Sequence, residues 1–188
     1  MEWDLPKSVK IDNRIFKITD DCDYRMVLDC WNALEDEKLE INERLTCALC
    51  IFYDDFEAVC QLEKDNVVKL AEKMKDIING DNQQAVTVSK KSNPIVNFNK
   101  DFPLIVTAML PILGYDIREK EYLHWWTFLG AFREINSGVY AEVLQIRAKL
   151  SKGISLKKNE LQFYRENKSI VDIDYELTEE EKEFLFSD

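Results

Sequence analysis

The sequence predicts a mainly α, bundle-like single domain with a small N-terminal β-hairpin, and three observations carry that prediction. The 188 residues include only five glycines and four prolines, with 46% hydrophobic and 32% charged side chains. That is the composition of a soluble globular chain rich in helix formers, not of a disordered or all-β one. Apolar residues recur at three- and four-residue intervals along most of the chain, the period of a helix with one face turned to a core. At this length folding buries roughly 70% of the surface of the unfolded chain, so a full core needs no staples.

The elements follow in order. "SVKIDNRIFKI", residues 8–18, has two short alternating runs around Asp12-Asn13, residues that tolerate left-handed backbone, and reads as a hairpin. A lone hairpin needs a helix to lean on, and "DCDYRMVLDCWNAL" (21–34) offers one, capped by Thr19 or Asp20, with Tyr24, Val27, Leu28, Trp31 and Leu34 in register. "EINERLTCALCIFYDD" carries Ile41, Leu45, Ala48 and Phe52 on one stripe, and "FEAVCQLEKDNVVKLAEKMKDIING" runs on to Gly80 as C-cap. Residues 81–100 lose the pattern and gather Asn, Ser and Pro, a long surface connection with a short strand at "AVTV". Asp101 can cap "FPLIVTAMLPIL", which Pro111 and Gly114 end. Three more helices are expected, over about 118–136, at "VYAEVLQIRAKL", and at "SLKKNELQFYREN" with Ser155 as cap. The helical domain is expected to span 1–170, and 171–188 is an acidic segment, either a frayed tail or a short helix opened by a capping box at Thr178 and Glu181 whose apolar face docks.

Charge and cysteine usage narrow the function classes. With 25 basic and 36 acidic residues the net charge is -11, which repels a phosphate backbone, so nucleic acid is not an expected partner. No apolar run reaches the roughly 18–20 residues of a membrane span, and "MEWDLPKSVK" is too acidic for a signal peptide, so neither membrane nor export is expected. Cys22, Cys30, Cys47, Cys50 and Cys60 make an odd count at irregular spacings, which in a reducing compartment reads as free thiols in or near the core.

Few residues carry chemistry. "YLHWWTFLGAF" (122–132) holds the only histidine. His124 is either a general base, oriented by Glu121 with Lys120 competing, or a packing or capping residue. No nucleophile elbow or His-Glu-x-x-His pattern accompanies it, and the sequence favours the second reading. Cys47-x-x-Cys50 is half of a zinc or redox motif without its other half, and reads as a helix packed on two sides. Residues 147–168 set seven basic side chains (Arg147, Lys149, Lys152, Lys157, Lys158, Arg165, Lys168) against Glu160 and Glu166, a solvated face or the contact for an acidic partner or for the chain's own acidic end. Tyr122, Trp125, Leu129 and Phe132 form one stripe flanked by Trp126 and Phe128, either core or an apolar groove. No catalytic residues, metal site or cofactor is expected.

"DFPLIVTAMLPILGYDIREKEYLHWWTFLGAF" (101–132) resembles the signature of the "gp fifteen" proteins of tailed bacteriophages infecting Gram-positive hosts: a helix opened by Asp, a turn at Gly114-Tyr115-Asp116-Ile117, and Leu123, His124, Trp125, Trp126 and Phe128. The likeness extends to Leu5-Pro6, Asp23-Tyr24-Arg25, Arg147, Lys157, Lys158, Tyr164 and Asn167, with departures at Tyr24 and in the order Asp116-Ile117. The resemblance implies a non-enzymatic siphophage or prophage protein of the host cytoplasm, a tail assembly chaperone whose client is the tape-measure protein, with the tail tube protein as a second candidate. A structural virion component, such as a tail completion or adaptor protein, is the alternative, and homo-oligomer formation is left open. Trp125, Trp126, Phe128 and Phe132 are the expected client contacts, with Arg147, Lys157, Lys158 and Arg165 as their electrostatic complement.

Overall fold

The computed structural model describes residues 4–80 and 95–173. Its elements in order are β1 (Ser8–Ile11), β2 (Arg14–Lys17), α1 (Tyr24–Glu35), α2 (Ile41–Phe52), α3 (Phe56–Cys60), α4 (Lys64–Asn79), α5 (Phe98–Leu113), α6 (Trp125–Arg133), α7 (Gly138–Ser151), α8 (Lys158–Glu166) and α9 (Lys168–Val171). The fold is mainly α with one antiparallel hairpin, as the sequence predicts. The residues group into two compact units: one within 1–87 and 118–133, the other within 88–117 and 134–188. The expected strand at "AVTV" and the capping box at Thr178 lie outside the described residues, as does most of the 81–100 connection.

In the first unit the hairpin pairs Val9 with Phe16 and Ile11 with Arg14, and Asp12 takes the left-handed conformation at the turn (φ 51°). Phe16 and Ile11 face inward. The hairpin's main helical support is α4, with Ile18 bridged to Tyr53 and the Asp54 amide bonded to the Lys17 carbonyl, rather than α1 as expected. α1 begins at Tyr24 with Asp23 as its cap, since Asp20, Asp21 and Cys22 all adopt left-handed backbone and cannot start a right-handed helix. The single run expected over 56–80 is two helices, α3 capped by Asp55 and α4 ended by left-handed Gly80. The break lets Ala58 and Val59 as well as Leu70 and Met74 reach the core. On α2 the buried face is Ala48, Leu49 and Phe52, while Ile41 and Cys47 are exposed, so the helix is not apolar on two sides. Only Cys22 and Cys30 of the five thiols are buried.

In the second unit α5 starts at Phe98, three residues before the expected cap, because the Asn97 side chain accepts from the Lys100 amide. Left-handed Gly114 ends it as expected. Pro103 and Pro111 sit on its exposed side, where carbonyls that lose a helical donor can meet water. α5 packs on α7, and α7 on α9. Val143, Ile146 and Val171 form a core cluster against Leu156, Phe163, Tyr164 and Ile170. α8 starts at Lys158, where the Glu160 carboxylate accepts from the Lys157 amide, and not at Ser155.

Candidate functional site

Two groups of polar contacts account for most of the residues singled out in the sequence. The first, in the first unit, joins segments far apart in the chain. Tyr122, Leu123 and His124 are not helical: His124 pairs with Asp23 as an isolated antiparallel bridge, and the Tyr24 amide donates to the Leu123 carbonyl at 3.0 Å. Their backbone groups are engaged sideways, so α6 starts only at Trp125 rather than near residue 118. The buried Asp23 carboxylate accepts from the amides of Arg25 (2.9 Å) and Leu123 (2.8 Å) and pairs with the Arg25 guanidinium at 3.2 Å. Arg25 in turn lies over the Tyr24 ring at 4.6 Å and donates to the carbonyls of Lys120 and Glu121.

His124 is 2% exposed and caps α6, its Nδ1 accepting from the Trp126 amide at 3.0 Å. Nε2 is buried and makes no well-formed hydrogen bond. Burial depresses the imidazole pKa, helped by Lys7 and opposed by the Pro6 carbonyl, Asp21 and Asp23. A ring so placed offers no lone pair to a substrate: one nitrogen is committed to the helix and the other is enclosed.

Behind it the aromatic rings form a column. Trp125 stacks on Phe128 (5.3 Å between centroids), and Phe128 on Tyr24 (5.0 Å) and Phe132 (6.4 Å). Both indoles donate to the end of α4, Trp125 to the Ile78 carbonyl (2.7 Å) and Trp126 to that of Ile77 (2.8 Å), while Arg133 reaches the Asn79 carbonyl (3.1 Å). The last carbonyls of a helix lack partners within it and carry the negative end of its dipole, so these donors complete α4 from outside.

The second group lies in the second unit. Arg147 and Asp101 form a bidentate ion pair at 2.6 and 2.8 Å, both buried. The remaining guanidinium hydrogens go to the carbonyls of Val171 (2.7 Å), Ile95 (3.0 Å) and Ile170 (2.8 Å), so all five donors are used. Asp101 also accepts from the Asn97 amide (3.0 Å) and the Tyr140 hydroxyl (3.3 Å), and burial beside that carboxylate pushes the Tyr140 pKa up. Tyr164 donates to the Asp172 carboxylate at 3.0 Å.

These positions revise the expected client contacts. Trp125 and Phe128 are core, and Arg147 is a buried structural cation, so none of the three presents its side chain to a partner in this conformation. Trp126 and Phe132 are half-buried, and Lys157, Lys158 and Arg165 are exposed. The sequence reading missed the last turn of α5, where Leu110 is 45% and Ile112 40% exposed around Pro111. Its signal was available: "FPLIVTAMLPIL" has no charged residue, and a helix apolar all round must cover every face or leave one open.

A cleft of about 260 Å³ in the second unit is lined by Asn136, Ser137, Glu142, Gln145, Asn159 and Glu160 among others. Glu160 is held by Lys149, and the cleft carries neither histidine nor cysteine. Among the described residues no group of three His, Cys, Asp or Glu side chains is placed to hold a metal ion, and no helix is long and apolar enough to cross a membrane.

A family model described as Bacteriophage Gp15 protein matches residues 1–173. No curated protein and no solved structure gives a significant match.

Proposed function

As the chain belongs to the bacteriophage Gp15 protein family, we propose that it is a non-enzymatic tail assembly chaperone, holding the tape-measure protein in the host cytoplasm during tail assembly. The observation that carries the reading is the exposed apolar last turn of α5, at Leu110, Pro111 and Ile112. A helical client with apolar faces needs exposed apolar side chains to pack against. Lys157, Lys158 and Arg165 add positive charge on exposed positions of a protein with a net charge of -11. They suit acidic stretches of a client and a reversible, salt-sensitive grip.

Co-expression with the tape-measure protein tests the proposal. Wild type should raise its soluble recovery, and Leu110→Ser with Ile112→Ser, or Lys157→Glu with Lys158→Glu, should lower that gain. If wild type leaves recovery unchanged, the client assignment is wrong. Mass spectrometry of purified particles adds a second check: a chaperone is missing from finished virions, whereas a tail completion or adaptor protein is present in few copies.

A further inference from the structure

α8 keeps its carboxylates occupied and turns its cations outward. Glu160 holds the Lys149 ammonium of α7 at 2.5 Å and accepts from the Lys157 amide at 2.9 Å, while Glu166 accepts from the Gln162 side chain at 2.9 Å. Phe163 and Tyr164 pack inward against Val143, Ile146 and Val171. Lys158, Leu161 and Arg165, spaced three and four residues apart, therefore share the outer side of the helix, with Lys157 at its N-cap. All four are exposed, and Leu161 lies between the two cations as an apolar centre.

The chain leaves the described residues beside this same helix. Tyr164 of α8 donates to the Asp172 carboxylate, and the Lys100 ammonium donates to the carbonyls of Asp172 (2.5 Å) and Ile173 (2.9 Å), so the exit point is fixed next to α8. Residues 174–188, "DYELTEEEKEFLFSD", follow with seven carboxylate side chains against one lysine, and with Leu177, Phe184, Leu185 and Phe186 among them. A segment of that length can span up to roughly 50 Å, against about 13 Å for the axis of α8, so the whole outer face is within reach.

We propose that the outer face of α8 is a docking surface for the chain's own acidic segment, residues 174–188, held in cis. Charge complementarity names the occupant, since a strongly negative segment begins beside an exposed face that carries Lys157, Lys158 and Arg165. A single exposed ion pair holds weakly, being screened by salt and opposed by side-chain entropy. Tethering changes the balance, because a short connection presents the segment at an effective concentration of about 1 mM or more. Leu161 gives the segment's apolar residues a contact within the ring of charge. The docking does not depend on any client, and a client that gripped the same cations would have to displace the segment.

The test uses the full chain. In an equal mixture of ¹⁴N- and ¹⁵N-labelled protein, a carbodiimide should form amide links between Lys157 or Lys158 and the carboxylates of 174–188, within one isotopic copy. Raising salt from about 0.1 M to about 1 M, which shortens the Debye length from about 10 Å to about 3 Å, should remove most of these links. A fluorescent peptide of residues 174–188 supplies the second arm. Neutralising the chain's own segment by Glu179→Gln, Glu180→Gln, Glu181→Gln and Glu183→Gln should make the protein bind that peptide at least about tenfold more tightly than wild type does. Adding Lys158→Glu and Arg165→Glu should abolish the binding. Links mainly between copies would assign the face to a second chain, and links no more frequent at Lys157 and Lys158 than at exposed Lys10 or Lys75 would leave the segment in solvent. Either result overturns the proposal, as does a peptide affinity equal in wild type and the neutralised variant, or one untouched by reversal at Lys158 and Arg165.

Discussion

Arg147 shows what the charged residues of this chain are for. Its five donors meet Asp101 and three backbone carbonyls, so one side chain ties α5, α7 and the start and end of the described chain of its unit together. Replacing it by Met strands the buried Asp101 carboxylate and should cost about 3–5 kcal/mol, read as a lower urea midpoint. Pairing Arg147→Met with Asp101→Leu should recover part of the loss, because no charge is then left unpaired. Neither role was legible in the sequence: Asp101 reads as a helix cap and Arg147 as one of seven basic residues, and only the fold brings two positions 46 apart into one ion pair. His124 was more legible, because its lack of catalytic company already argued for capping. Its folded pKa is depressed, while in the unfolded chain it titrates near about 6.5. Below that value the unfolded state takes up a proton that the folded state refuses, so stability should fall as pH drops from about 7 toward about 5. His124→Asn keeps a cap acceptor without titrating, and urea midpoints across that range should show a flatter profile for the variant. An equal slope in both proteins would assign the effect to other groups.

At the scale of elements, periodicity found the helices and tertiary hydrogen bonds moved their ends. α7 and the close of α5 fall where the pattern puts them. α6 does not, since residues 122–124 bond to Asp23 and Tyr24, a contact that no local window contains. Asp23-Tyr24-Arg25 and Leu123-His124-Trp125-Trp126, two stretches that carry the family resemblance, thus meet in one structural joint. The same joint makes α4 depend on α6. Gly80 and Gly114 both end helices in left-handed backbone (φ 69° and 77°), but only at Gly80 would a new Cβ meet a neighbour, Leu129 Cδ2 at 3.2 Å. Alanine should cost roughly 1–2 kcal/mol at either site through backbone strain. The thermal midpoint should drop further for Gly80→Ala than for Gly114→Ala, as Leu129 has to give way.

For the whole molecule, composition was the better guide. The net charge of -11 and pI of about 4.7 argue against a nucleic-acid role even with exposed Lys157, Lys158 and Arg165. Duplex DNA should migrate unretarded with the protein at about 0.15 M salt, since too few phosphates could be neutralised to offset the repulsion. Retardation there would turn attention to the basic face of α8. Fold class was readable for the same reason, a property summed over many residues. The division into two units was not, because it depends on which distant segments meet. That division has a consequence for how the protein is made. The first unit needs residues 118–133, which are synthesised after α5 of the second. The carbonyls of Ile77 and Ile78 therefore leave the ribosome well before their indole donors. Neither unit is one continuous stretch of gene, so no single truncation yields either whole, and a nascent chain must carry an unfinished α4 through the translation of its neighbour.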